Sequence, residues 1–78
     1  MNAEDIVERI RSAYPDALVE PEGADCNFSV KIVTAAFEGK NPLQRQRPVM
    51  ALFKDEINSG ALHALSITAK TPSEDAAG

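Results

Sequence analysis

The sequence predicts an α+β domain: a two-layer sandwich in which a three-stranded sheet carries two helices on one face. Three observations predict it. The first twelve or so residues repeat apolar side chains at helical spacing, later segments alternate apolar and polar residues, and a second helical stripe lies between those segments. The expected order is helix, strand, strand, short turn and helix, strand. A chain of 78 residues has room for one core.

The first helix is predicted from Ala3 to Tyr14. Its apolar residues recur at spacings of three and four, and charged residues fill the opposite face. Asn2 is a suitable N-cap, and Pro15 prevents the helix from continuing. Both ends of this helix are therefore marked in the sequence.

Three segments have the character of strands. Ala17 to Glu20 is a short candidate, Pro21 to Asp25 has turn chemistry, and Asn27 to Val33 alternates apolar and polar residues. The third strand is predicted from Leu62 to Lys70. One face of that strand is expected to carry His63, Leu65, Ile67 and Ala69. The opposite, polar face matches that of the second strand, so the sheet should be covered on one side.

The second helix is complicated by Pro48. A helical stripe is formed by Leu43, Met50, Phe53 and Ile57. Because proline removes a donor and disfavours a helical residue before it, the segment is divided into a turn, 42–47, and a helix, 48–59, that ends at Gly60. Thr71 and Glu74 have the form of a capping box, but the chain ends soon afterwards. We therefore expect one domain over residues 1–72 and a frayed tail over 73–78.

The composition narrows the functional classes. Twelve acidic against eight basic residues leave a net charge of −4, which disfavours general affinity for polyanions. The sequence lacks an apolar run of about 20 residues, and its first residues are acidic where a targeting signal would be basic. A cytoplasmic protein without membrane contact is expected. Cys26 is the single cysteine, so an internal disulfide is impossible.

Three motifs resemble the BolA family. These are FEGKNPLQRQRPV from Phe37, HALSI from His63 and TPSE from Thr71, and the resemblance covers nearly the whole chain. It implies a fold similar to the class II KH domain. The chain departs from the family pattern in three places: Gln46 stands where a histidine is frequent, Pro48 replaces an apolar residue, and the tryptophan expected near Asp75 is missing.

The resemblance implies one of two non-catalytic roles. The first is partnership with a monothiol glutaredoxin and its glutathione, with a shared [2Fe–2S] cluster, in iron–sulfur cluster assembly or transfer or in iron regulation. The isolated chain is then expected to hold no cofactor. The alternative is DNA-binding transcription regulation of the BolA type. Either role is compatible with a monomer or a weak homodimer.

Two residues are candidate metal ligands. His63 is the only histidine, and its spacing alone favours a histidine at the rim of the core; the resemblance reverses this, because His63 stands where the family places its cluster ligand. Cys26 is a candidate second ligand, or a small, partly buried residue without chemistry. Two ligands fall short of the four that a [2Fe–2S] cluster needs. Nothing in the sequence orients the pair as base and nucleophile, so an enzyme is not expected.

The basic segment supports three interpretations. Lys40, Arg45 and Arg47 could form a solvated face, a DNA-binding patch or, together with Phe37 and Gly39, a partner-docking surface. The KH-type grip on nucleic acid needs a GXXG loop, and the spacing of the four glycines provides none. The docking surface is accordingly the first expectation and DNA binding the alternative.

Overall fold

The computed structural model describes residues 1–24 and 27–77, and of Ala24 the backbone alone. Its elements are α1 (Ala3–Ala13), β1 (Leu18–Ala24), β2 (Asn27–Val33), a 3-10 turn (Ala35–Phe37), α2 (Pro42–Ala51), α3 (Lys54–Ser59), β3 (Ala64–Lys70) and α4 (Pro72–Ala77). The predicted α+β class and the order of its main elements are confirmed.

The three strands form one mixed sheet in the order β1-β2-β3. β1 and β2 are antiparallel, and β3 runs parallel to β2, with Ser29 level with Ser66 and Lys31 level with Thr68. These polar residues share one face because side chains alternate along a strand. The matched polar face predicted from the sequence is confirmed.

The core lies between the other face of the sheet and the helices. Its members are buried side chains from every layer, among them Ile6, Ile10, Val30, Ile32, Phe37, Val49, Phe53 and Leu62. Ile6 and Ile10 lie one turn apart on α1, as the amphipathic pattern requires. The helix begins with a reciprocal capping box between Asn2 and Asp5, which confirms the predicted N-cap.

The predicted turn after the first strand is wrong in its described part. β1 continues from Leu18 through Pro21 to Ala24, with Pro21 paired to Val30. Proline is tolerated there because β1 is an edge strand, where outward groups need no ladder partner. Gly23 adopts a φ of 111°, and a Cβ at this position would lie 2.3 Å from the carbonyl oxygen of Asn27. A glycine is therefore required inside the strand.

The proposed division at Pro48 is also wrong. α2 runs through this proline, and the break comes at Leu52 and Phe53, before α3. Reciprocal hydrogen bonds between Asn41 and Gln44 close the first turn of α2, and the burial of Val49 secures the turn that contains the proline. The predicted stripe fails at Leu43, which is 54% exposed, whereas Arg45 faces inward. Gly60, at φ 85°, ends α3 as predicted.

The frayed tail expected over 73–78 is instead helical in its described part, where α4 spans Pro72–Ala77. Thr71 and Glu74 form the predicted capping box, since each side chain accepts from the other residue's backbone N–H. Asp75 also pairs with Lys31 on the polar face of β2, at 2.5 Å. The pair between Asp75 and Lys31 ties α4 to the sheet.

Candidate functional site

His63 is an exposed side chain directly before β3. It follows Leu62, which is fully buried and whose N–H donates to the carbonyl of Glu56 at 3.0 Å. The left-handed backbone of Gly60 turns the chain out of α3, and a Cβ built there would lie 3.9 Å from His63 Nε2. The imidazole is thus presented to solvent beside a residue without a side chain, on a buried anchor.

The segment before His63 is fixed to α1 by Arg9. Its Nη1 donates to the carbonyl of Leu52 and to Oε1 of Glu56, both at 2.7 Å. The hydrogen bond from Arg9 lowers the pKa of Glu56 and raises that of Arg9. Both groups therefore stay charged, and α3 is held in place directly before the loop that carries the histidine.

The register places His63 next to the beginning of β2. Ala64, the residue after the histidine, is level with Asn27. The other candidate ligand, Cys26, precedes Asn27 in the sequence and lies outside the described residues. The structure therefore places one of the two predicted ligands.

The described residues contain no complete donor set for a metal centre. Within residues 1–24 and 27–77, no group of three or more His, Cys, Asp or Glu side chains could hold a metal ion. No hydrogen bond joins the imidazole to another side chain of that part of the molecule. A [2Fe–2S] cluster takes about four ligands. His63 falls short of that number among the described residues, so a cluster bound there would need ligands from elsewhere.

Arg45, predicted to contact a partner or phosphate, faces the interior and is 8% exposed. Its Nε donates to the carbonyl of Phe37 at 3.1 Å and its Nη1 to that of Ala69 at 3.0 Å. Two further bonds reach the carboxylate of Glu74. The predicted surface role of Arg45 is therefore wrong: its donors are used to join α2, the 3-10 turn, β3 and α4.

The remaining residues of the predicted docking surface divide into two groups. Phe37 is 1% exposed and stacks at a tilt against Tyr14, with 5.4 Å between ring centroids, so it too is a core residue. Gly39, Lys40 and Arg47 are exposed. The surface available to a partner is thus narrower than the motif suggests and contains two cations rather than three.

The ion pair between Arg45 and Glu74 has no local signal in the sequence. Arg45 and Glu74 are 29 residues apart, and no local periodicity connects them. The local sequence predicts only a capping role for Glu74, which it also performs by accepting from the N–H of Thr71. Hydrogen bonds from Arg45 and Thr71 lower the pKa of Glu74 to about 2.

Together these features define a small α+β domain that displays one histidine at the end of its sheet and secures its C-terminal helix through a buried arginine. The model of the BolA-like protein family matches residues 7–74, and the chain belongs to this family. The predicted resemblance is thereby confirmed. Among the described helices, none is both long and apolar enough to cross a bilayer.

Several relatives agree with this assignment. The chain is 42% identical over 74 residues to a protein in the rpoN-murA intergenic region of Acinetobacter guillouiae, covering 95% of this chain and 89% of that protein. It is 52% identical over 50 residues to protein BOLA1, chloroplastic, and 47% identical over 53 residues to SufE-like protein 1, both from Arabidopsis thaliana. These matches cover 64% and 68% of this chain but only 31% and 14% of the plant proteins.

Solved structures give the same result. A bolA protein homologue from Coxiella burnetii superposes with a TM-score of 0.82 at 28% identity, with 97% of each chain covered. The BolA domain of SufE1 from Arabidopsis thaliana superposes with a TM-score of 0.80 at 34% identity, covering 95% of this chain and 98% of that domain. The family assignment therefore holds for sequence and fold alike.

Proposed function

We propose that this chain is a non-catalytic partner of a monothiol glutaredoxin and shares a [2Fe–2S] cluster with it through His63. The observation that carries the proposal is the display of this imidazole, exposed and without a side-chain partner among the described residues. Family membership supports the same role. A BolA domain also occurs in a SufE-like protein, which is consistent with work in iron–sulfur metabolism.

The ligand count explains why a partner is needed. Neutral imidazole is a good ligand for iron, but the described residues of this chain supply no set of three ligands near His63. The missing thiolates would come from the glutaredoxin and its glutathione. Replacing thiolate by imidazole raises the reduction potential of such a cluster, which is the chemistry that His63 would contribute.

The rigid surroundings of His63 favour a defined ligand position. Leu62 is buried on one side of it, and the strand that begins at Ala64 is paired to β2 on the other. Supporting residues that fix a ligand's position matter nearly as much as the ligand itself. Cys26 remains a candidate for a second ligand, because it precedes the residue that is level with Ala64.

Visible circular dichroism can test the proposal. A monothiol glutaredoxin loaded with a [2Fe–2S] cluster is titrated with the wild-type chain, with His63→Ala, with Cys26→Ser and with Ser29→Ala, an exposed surface control on the neighbouring strand β2. We expect a new cluster spectrum with the wild type and the control, and its loss with His63→Ala. Far-UV spectra of each variant verify folding. A spectrum that does not change with the wild type, or that is identical with His63→Ala, would refute the role.

The alternative role in DNA binding loses support from the structure. It relied on three cations, and Arg45 is unavailable because its donors are bonded inside the protein. Lys40 and Arg47 remain exposed. Two phosphate contacts give a weak interaction that moderate salt removes, so no observation now favours this function over the first.

A further inference from the structure

The two edges of the sheet differ in how they are protected. β1 carries Glu20, Pro21 and Glu22 in succession, and charged residues and proline on an edge strand discourage pairing with another chain. β3 reads ALSITA before Lys70, six residues without a charge, a proline or a glycine. The β3 edge therefore lacks the usual protection along most of its length.

The direction of the backbone groups of β3 follows from two hydrogen bonds. The carbonyl of Lys70 accepts from Thr34, which continues β2, so Lys70 faces the sheet. The carbonyl of Ala69 accepts from Arg45 on the other side. Backbone groups alternate between the two sides along a strand of a parallel pair. Leu65 and Ile67, which share the parity of Ala69, accordingly direct their N–H and C=O groups away from β2.

The side chains of these residues are also incompletely covered. Leu65 and Ile67 lie on the apolar face of the sheet and pack against the core, yet both are only partly buried. Between them, Ser66 is exposed on the polar face. The segment 65–67 thus combines outward backbone groups with apolar surface at one edge, which is the type of surface that accepts another strand.

We infer that this edge pairs with the same edge of a second copy, antiparallel and with the two-fold axis at Ser66. In this register Leu65 lies opposite Ile67 of the second copy and exchanges both backbone hydrogen bonds with it. The four partly buried apolar side chains then form one cluster across the axis, and the two Ser66 hydroxyls face each other. Every outward backbone group of Leu65 and Ile67 gains a partner.

Contacts at the two ends of the segment favour this register over those with the axis at Leu65 or Ile67. An axis at Ile67 would place Leu65 opposite Ala69 of the second copy, whose carbonyl already accepts from Arg45. An axis at Leu65 would pair Ile67 with His63, which precedes the strand. With the axis at Ser66, the paired residues are Leu65 and Ile67. Both lie within the strand, and their backbone groups have no other partner among the described residues. A segment of a different protein remains the competing occupant, but only a second copy offers this self-complementary pattern.

The pairing is expected to be weak and to affect the proposed function. Its contact is short, and a net charge of −4 on each copy opposes association. The register places His63 level with Ala69 of the second copy, so the dimer and a glutaredoxin would compete for the same end of the strand. This last step depends on the proposed function, whereas the pairing itself does not.

Disulfide trapping tests the pairing without any cluster or glutaredoxin. In a Cys26→Ser background, Ser66→Cys is compared with Ser29→Cys, the residue level with it on the central strand and likewise exposed. Residues at a two-fold axis of this kind have Cα atoms about 4.5 Å apart, within disulfide range. The positions equivalent to Ser29 would be about 14 Å apart, three strand spacings, and beyond reach.

We expect oxidation to give a covalent dimer of Ser66→Cys at least about tenfold faster than of Ser29→Cys, because pairing raises the local thiol concentration. Sedimentation equilibrium adds a test without cysteine. Ser66→Lys should abolish any dimer, since like charges would lie directly opposite, whereas Ser29→Lys should leave it unchanged. Equal oxidation rates, or a dimer that survives Ser66→Lys, would overturn the inference. Neither result would affect ligation by His63.

Discussion

Glu74 holds the guanidinium of Arg45 through both carboxylate oxygens, with 2.7 Å from Nη1 to Oε1 and 3.1 Å from Nη2 to Oε2. The side chain of Arg45 is 9% exposed and that of Glu74 48%. The pair therefore lies at the boundary of the core, with the cation inside and the anion outside. A guanidinium in this position needs its anionic partner, because an unpaired buried charge is strongly destabilising.

The pair predicts a specific loss of stability in acid. The pKa of Glu74 in the folded protein is about 2, below the value of about 4.3 for a free glutamate. A lowered pKa contributes stability that is complete above the unfolded value and is lost as the pH falls through the folded value. The free energy of unfolding, measured by urea denaturation, should therefore drop between about pH 4.5 and pH 2.

Glu74→Gln identifies the source of that loss. The variant should be less stable than the wild type at pH 7 and should lose less stability between about pH 4.5 and pH 2, because the titrating group is gone. Glu22→Gln, an exposed acid of β1, is the matched control and should retain the wild-type slope. If Glu74→Gln and the wild type lose the same unfolding free energy over this pH range, the Arg45–Glu74 pair does not govern stability in acid.

Pro48 should be a destabilising residue of α2. Proline inside a helix removes one backbone bond and crowds the preceding turn, and the Pro48 ring is exposed, so it adds little packing in return. Pro48→Ala restores a donor toward the carbonyl of Gln44. We expect the free energy of unfolding to rise by about 1–2 kcal/mol, less than the full helix penalty because proline also restricts the unfolded chain.

Gln46→Ala supplies the comparison for this change. Gln46 is exposed on the same helix, two residues earlier, and its replacement should alter the free energy of unfolding by no more than about 0.5 kcal/mol. Urea denaturation of both variants at pH 7 decides the matter. A Pro48→Ala protein that is no more stable than Gln46→Ala would mean that the helix accommodates the ring without cost.

The sequence predicted those elements whose periodicity and ends are local. The helix capped by Asn2, the strand from Asn27 and the stop at Gly60 each depend on residues within a few positions of one another. The errors came where tertiary contacts override local preference. Pro21 is acceptable because β1 lies at an edge, and Pro48 because α2 is anchored on both sides of it.

The candidate site also divides into residues with a local signal and residues placed by tertiary contacts. His63 stands in a local motif, so the sequence alone marks it as a candidate; the structure shows that it is exposed, and its role as a ligand stays a prediction. Arg45 was misplaced because a basic residue in a basic segment suggests a surface, and its partners come from positions 37, 69 and 74. Charge alone cannot distinguish a phosphate contact from an internal ion pair that forms only in the folded chain.

Alanine substitutions at two glycines of similar backbone conformation can distinguish an effect on stability from an effect on the position of the imidazole. Gly60 and Gly39 have φ values of 85° and 75°, so alanine at either should cost about 1 kcal/mol of unfolding free energy. A Cβ at Gly60 would lie 3.9 Å from His63 Nε2, whereas one at Gly39 would meet nothing within 4 Å. We expect urea denaturation to give similar losses for the two variants. The visible dichroism of the proposed shared cluster should change with Gly60→Ala alone. An equal spectral change in Gly39→Ala would attribute the effect to general destabilisation, and no change in either would show that Gly60 does not set the position of the imidazole.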